Sequence, residues 1–233
     1  MKFLCLHGLG TNAAIFQSQL GAIVSELEKD GTASFYFLDG LVEQPASKEV
    51  DGLYEGPYYG YFRCDYSMSE NAPDSFHEAW KTGTFQDSVA EAYSLIYDVL
   101  EEEGPFGGII GFSHGATLAF AFLLHHAEKN PLDPPFALFR CAVFISGPAP
   151  LGENGMRLSF DEVVGALLKI PTVHVAGKAD ALFEESLNLY RLCEKYTAKL
   201  VCHDKGHWVP RDRANTLGMV KAIRDLIDRS TLM

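Results

Sequence analysis

Hydrophobic positions along the chain fall into two alternating patterns. Short apolar, β-rich runs occur at residues 3–6, 34–38, 108–112, 141–146, 172–176 and 199–203. Longer segments with apolar residues at helical spacing occupy 13–29, 85–103, 114–129, 160–168, 182–196 and 211–229. Strands that alternate with helices predict a mostly parallel central sheet with helices on both faces. Runs that are apolar at every position, such as Ala142-Val143-Phe144-Ile145, fit strands buried on both sides.

Residues 41–84 break this rhythm. They follow neither period and carry Pro45, Gly52, Gly56-Pro57, Gly60 and Pro73. They also hold Tyr54, Tyr58, Tyr59, Tyr61, Phe62, Tyr66, Phe76 and Trp80. Long irregular segments inside compact domains are functional or disordered, and disorder is poor in aromatics. The expectation is an ordered cap over a site, with Tyr54, Tyr58, Tyr59, Tyr61 and Phe62 against the substrate. The plain alternative is a surface excursion with a small core of its own.

The 233 residues suit one α/β domain, 1–233, that includes this insertion. A formal net charge of -12 argues against a nucleic-acid partner and against a general affinity for anionic membranes. No apolar run reaches the ~18 residues of a spanning helix, and the run Met1 to Gly8 is too short for a signal peptide. Five cysteines, odd in number and scattered, do not form a disulfide framework. Cys5, Cys141 and Cys202 lie in strand-like runs and read as buried, inert thiols. A cytoplasmic location is expected on these grounds.

Chemistry enters at Gly111-Phe112-Ser113-His114-Gly115, a match to G-x-S-x-G. A buried strand precedes it and an apolar helix follows. A serine on so sharp a turn is pushed outward, beside the free N–H groups of a helix start. Ser113 is therefore the candidate nucleophile; the alternative is a serine that only caps the helix. An oxyanion needs two N–H donors. His114, just after the nucleophile, and Leu9, between Gly8 and Gly10 after the first strand, are the candidates.

His207, in Lys205-Gly206-His207-Trp208, follows the last strand and is the candidate general base. His125, His126, His77 and His174 do not sit on a loop at the carboxyl end of a strand, where open α/β sheets place their chemistry. His203 ends a strand and suits a packed or hydrogen-bonded role. A metal pair of His203 and His207 needs a helix, which Gly206 opposes. The acid that orients the base is assigned to Asp180, after the strand at 172–176. Glu184, Glu185 and Asp204 compete with it, and Asp180 also suits a plain cap on the following helix.

These motifs form an ordered set: Leu4-Cys5-Leu6-His7-Gly8, the run from Gly104 to Gly115, Ser146-Gly147, Gly177-Lys178-Ala179-Asp180 and Gly206-His207. The set spans nearly the whole chain and resembles the fungal serine hydrolase (FSH) family. The resemblance implies an α/β-hydrolase fold with no metal and no organic cofactor. The stretch Gly56-Pro57-Tyr58-Tyr59-Gly60-Tyr61 is similar to members linked to polyketide biosynthesis, esterases and stand-alone thioesterases that release acyl chains from a carrier protein. His114 departs from the family, which commonly has Gln there; the oxyanion role belongs to the backbone, so only fine tuning should change.

The function expected is hydrolysis of a hydrophobic ester or thioester through an acyl-enzyme, with Trp208 among the substrate contacts. An acyl-carrier domain of a polyketide synthase is a candidate partner. Its docking needs local cations such as Lys205, Arg211 and Arg213 on an otherwise acidic protein. A small-molecule carboxylesterase without a carrier and a non-catalytic ligand-binding module stay open as alternatives.

Overall fold

The computed structural model describes residues 1–63, 83–152, 156–162, 165 and 167–232. In chain order the elements are β1 (Lys2–Leu6), α1 (Ala13–Glu28), β2 (Ser34–Leu38), β3 (Val42–Gln44), β4 (Tyr58–Gly60) and α2 (Thr84–Glu103). There follow β5 (Gly108–Phe112), α3 (His114–Lys129), β6 (Cys141–Ile145), a 3₁₀ turn (Phe160–Glu162), β7 (Thr172–Gly177), α4 (Phe183–Arg191), β8 (Ala198–His203) and α5 (Arg213–Thr231). Six strands form one parallel sheet in the order β2-β1-β5-β6-β7-β8.

The two-residue period of the strands divides the core. Leu4, Leu6, Ile109, Ala142 and Phe144 face α2, α3 and α4, where Ile96, Phe122 and Leu189 are buried. Phe3, Cys5, Ile110, Val143 and Val175 face the other way, onto Phe16 and Leu20 of α1 and Ile223 and Leu226 of α5. Each central strand is thus apolar throughout because each of its sides has its own core.

The chain runs from β1 outward to β2, then returns to place β5 on the other side of β1. This reversal leaves a crevice beyond the carboxyl ends of the two strands, the place where open α/β sheets bind ligands. The loop after β1 and the turn after β5 meet there.

Several expectations need correction. The helix expected over 160–168 is only the turn at Phe160–Glu162. Gly165 takes φ 81°, and Leu168 forms a bridge with Cys193, so no continuous helix fits. The helix expected over 182–196 ends at Arg191, where Leu192 gives its carbonyl to the N–H groups of Leu167 and Leu168. The last helix begins at Arg213 instead of 211, because the Asp212 side chain accepts from Asn215 N–H and takes the cap position. Within the irregular stretch, β3 and β4 pair antiparallel, with Val42 opposite Gly60 and Gln44 opposite Tyr58. Three residues per strand are too few to show a period. Cys202 is exposed, because β8 is an edge strand; Cys5 and Cys141 are buried. Tyr66, Phe76, His77 and Trp80 lie outside the described residues. Among the described residues no helix is long and apolar enough to cross a membrane.

Candidate active site

Ser113 alone turns the chain between β5 and α3. Its backbone takes φ 51° and ψ −115°, a conformation a non-glycine residue adopts only where its surroundings impose it. Here they do. Ser113 N–H donates to Ile145 O at 2.8 Å, and its carbonyl accepts from Ala116 and Thr117 N–H, each at 3.0 Å. A Cβ on Gly111 would strike the backbone of Gly115 and Ala116, and one on Gly115 the carbonyls of Leu6 and His7. Glycine at both positions lets α3 start hard against β1 and β5.

Asp180 and His207 come from the loops after β7 and β8. These loops are stitched together: Lys178 N–H donates to His203 O at 2.8 Å and Ala179 N–H to Lys205 O at 3.1 Å. His207 Nδ1–H donates to Asp180 Oδ2 at 2.8 Å, and Ser113 Oγ–H donates to His207 Nε2 at 2.9 Å. The carboxylate accepting at Nδ1 fixes this tautomer. Asp180 Oδ1 accepts from Leu182 N–H at 2.9 Å, so one carboxylate both orients the imidazole and holds the turn into α4. Burial alone raises the Asp180 carboxyl. Hydrogen bonds from His207 and Leu182 N–H outweigh it and hold the group below its ordinary value.

The rival side chains are placed elsewhere. Asp204 is exposed and lies 3.5 Å from Lys205 Nζ, and Glu184 is exposed on the first turn of α4. Glu185 shares that turn. His203 is buried, with Nδ1 accepting from Lys205 N–H at 3.2 Å. His174 is buried inside β7, while His125 and His126 lie on α3 against Tyr93 and Tyr97. Among the described residues no cluster of His, Cys, Asp and Glu is arranged to hold a metal ion.

Ser113, His207, Leu9 and His114 share a cavity of about 1170 Å³. One wall is apolar, with Phe62, Phe85, Val89, Tyr93 and Leu118. The rim carries Lys48, Tyr54, Lys205, Trp208 and Arg211, with Trp208 half exposed. Arg211 donates to Tyr54 Oη at 3.1 Å, joining the insertion to the loop that carries His207. Arg213, named with Lys205 and Arg211 as a docking cation, is the first residue of α5 and not part of the wall.

Of the six aromatics expected against the substrate, Tyr54, Phe62 and Trp208 line this cavity; Tyr58, Tyr59 and Tyr61 do not. The Tyr58 hydroxyl turns back to donate to Tyr54 O at 2.6 Å. Tyr59 is held through its backbone, accepting from Gly10 N–H at 3.0 Å and donating to Thr11 O at 2.7 Å. Tyr61 is fully buried: its hydroxyl donates to Leu38 O and accepts from His7 N–H, each at 2.8 Å.

Sequence reasoning missed two contributions. Phe85, Val89 and Tyr93 bring one face of α2 to the cavity, and helical spacing shows a face without showing what it meets. The second is the His114 ring, for which the sequence suggests no partner. Its Nε2 accepts from Tyr61 N–H at 3.0 Å, and it packs on Phe62 with centroids 4.1 Å apart. Burial pushes its pKa down to about 3, so the ring is neutral.

A family model described as "Serine hydrolase (FSH1)" matches residues 1–218. Hydrolase phiM of Talaromyces stipitatus is 38% identical over 222 residues, 91% of this chain and 82% of that protein. Esterase FPY3 of Fusarium mangiferae is 27% identical over 236 residues, 100% of this chain and 99% of that protein. Among solved structures, a Bacillus cereus carboxylesterase superposes with a TM-score of 0.55 at 21% identity, covering 98% of this chain and 87% of its own. A monoacylglycerol lipase of Paleococcus ferrophilus gives a TM-score of 0.58 at 14% identity, covering 97% and 94%. At such identities the likeness is one of fold, and the fold is that of the α/β hydrolases.

Proposed function

The chain belongs to the FSH1 serine hydrolase family, and from that premise we propose that it hydrolyses hydrophobic acyl thioesters or esters through an acyl-enzyme on Ser113. The observation that carries this reading is the unbroken hydrogen-bond chain Ser113–His207–Asp180, at 2.9 and 2.8 Å, opening into the apolar-walled cavity.

In this mechanism Ser113 Oγ attacks the acyl carbonyl while His207 Nε2 takes its proton. Asp180 stabilises the imidazolium that forms. The N–H groups of Leu9 and His114 hold the oxyanion. His207 then protonates the leaving thiol or alcohol, and water, activated by the same imidazole, clears the acyl group. In this reading the cap on the single domain 1–233 is the insertion 41–84, of which residues 64–82 lie outside the described residues, and the apolar wall takes the acyl chain.

A polyketide-like acyl group delivered on a carrier domain is the preferred substrate. Lys48, Lys205 and Arg211 on the rim support it as cations facing an acidic partner. The second reading, a small-molecule carboxylesterase, is favoured by the fact that Arg211 is already engaged with Tyr54. Free thiols at Cys5, Cys141, Cys193 and Cys202 suit the reducing cytoplasm.

The test combines Ser113→Ala with a matched substrate set. Replacing Ser113 should lower turnover on all substrates by about 10⁶-fold and abolish fluorophosphonate labelling. Wild-type protein should cleave long or aromatic acyl thioesters better than acetyl esters, and carrier-bound chains better than free ones. A label on another serine removes the nucleophile assignment. Equal rates on carrier-bound and free thioesters select the carboxylesterase.

A further inference from the structure

The oxyanion site asks for an N–H from the loop after β1, and nothing in that loop's glycine-rich sequence says which way its peptides face. Gly8 lies directly on the nucleophile: a Cβ built there would stand 3.7 Å from Ser113 Cβ and 2.9 Å from the Phe112 ring. The Gly8–Leu9 peptide therefore borders the reacting atoms. A peptide plane flipped by half a turn would present the carbonyl to the oxyanion and the N–H to the core.

Two buried side chains act on that plane. Thr11 Oγ1–H donates to Gly8 O at 2.7 Å. His7 Nδ1 also lies 2.7 Å from Gly8 O, and 3.3 Å from Thr11 Oγ1. Its other nitrogen, Nε2, accepts from Gly40 N–H at 3.0 Å. The proton is thereby placed on Nδ1, which donates to Gly8 O. Both side chains are within 2% of full burial. Both lone pairs of the Gly8 carbonyl are thus taken. Because C=O and N–H point in opposite directions across a trans peptide, fixing the carbonyl fixes the Leu9 N–H.

The clamp is itself anchored. The Thr11 carbonyl accepts from Tyr59 N–H at 2.7 Å, and Gly10 N–H donates to Tyr59 O at 3.0 Å. On the other side, Gly10 O accepts from Ser47 N–H at 2.9 Å. His7 is held through its own N–H by the Tyr61 hydroxyl at 2.8 Å. Ser47, Tyr59 and Tyr61, all between β2 and α2, thus brace the segment that carries the clamp.

We infer that Thr11, together with His7, is a positioning residue for the oxyanion hole: it holds the Gly8 carbonyl away from Ser113 and so keeps the Leu9 N–H turned toward the reacting carbonyl. The inference rests on the proposed acyl-enzyme mechanism. Thr11 touches no reacting atom and acts through one peptide plane. Losing it loosens the plane without removing the donor, so the effect should be smaller than the ~10²–10³-fold loss from deleting an oxyanion donor outright.

The experiment compares Thr11→Val, which keeps the shape and removes the hydroxyl, with Thr11→Ser, which keeps the hydroxyl. In Thr11→Val, kcat should fall by about 10-fold, with KM changed by less than about twofold. The inhibition constant of a trifluoromethyl ketone, whose adduct with the serine carries an oxyanion, should rise in the same proportion as kcat/KM falls. Thr11→Ser should recover both. If Thr11→Val does not fold, Thr11→Ser against Thr11→Ala makes the same comparison, since that pair differs only in the hydroxyl. Unchanged kcat/KM and inhibition in the hydroxyl-free variants overturns the inference. So does a Ser variant as impaired as the hydroxyl-free ones, which would assign the effect to the lost methyl. Full activity in Ser113→Ala would instead overturn the nucleophile assignment, so the two failures are distinguishable.

Discussion

At the scale of single residues, the Asp180 carboxylate makes two bonds at once, one to the turn into α4 and one to the imidazole of His207. Its Oδ1 holds Leu182 N–H and its Oδ2 holds His207. Asn at this position keeps an oxygen for the turn but offers an N–H to the imidazole, which favours the wrong tautomer. Asp180→Asn should therefore stay folded and lose about 10³–10⁴-fold in kcat, the scale of an acid-to-amide change in a serine triad. Asp204→Asn, at an exposed side chain, should keep nearly all activity. Steady-state kinetics with thermal melts on both variants checks this, and a crippled Asp204→Asn would move the acid to Asp204. Neither bond of Asp180 is visible as geometry in the sequence, although its place after a strand and before a helix makes it a candidate for both.

At the scale of elements, β4 decides which aromatics reach the cavity. Its antiparallel partner β3 and the backbone bonds of Tyr59 to Gly10 and Thr11 fix its register. Tyr58 and Tyr61 then spend their hydroxyls on Tyr54 O and Leu38 O, and Phe62 emerges on the cavity wall against Phe85, with centroids 5.6 Å apart. Phe62→Leu should reduce the preference for long or aromatic acyl groups over acetyl. Tyr58→Ala should leave the acyl profile in place, despite the dense aromatic run in which Tyr58 sits. Competition assays with a graded acyl series read this directly. A profile shifted by Tyr58→Ala and not by Phe62→Leu would reverse the assignment of the wall.

At the scale of the whole molecule, the parallel sheet is buried on both sides and imposes neutral histidines on the core. His114 and His174 are pushed from 6.5 down to about 3 by burial. Between those values the unfolded chain binds protons that the folded chain refuses. They therefore cost no stability above pH ~6.5, and below it stability falls as pH drops, by about 1.4 kcal/mol per unit for each histidine. Asp180, with a depressed value, acts in the same direction further down: its contribution is present above ~3.8 and is lost as pH falls through its folded value. Urea unfolding between pH 7 and pH 5 should show stability falling with acid. His174→Phe, whose ring sits between Phe144 and Tyr190, should flatten that slope by about 1.4 kcal/mol per unit. An unchanged slope would mean that His174 takes up its proton in the folded state.

Three features could be read along the chain alone: the alternation of strands and helices, the sharp turn at Ser113, and the order in which Ser113, Asp180 and His207 follow their strands. These are local: a two- or 3.6-residue period and glycines beside a serine are legible within a few positions. Helix ends were less legible, since Asp212 taking a cap or Leu168 pairing with Cys193 depends on partners brought from elsewhere. Which aromatics face the cavity, and that Cys202 lies on an open edge, follow from packing in three dimensions. The same packing places the His114 ring under Tyr61 and Phe62, and Thr11 and His7 on one carbonyl. Those outcomes rest on contacts between segments tens of residues apart, set by strand order at the β1–β5 reversal. No local period encodes a partner that arrives from the other end of the fold.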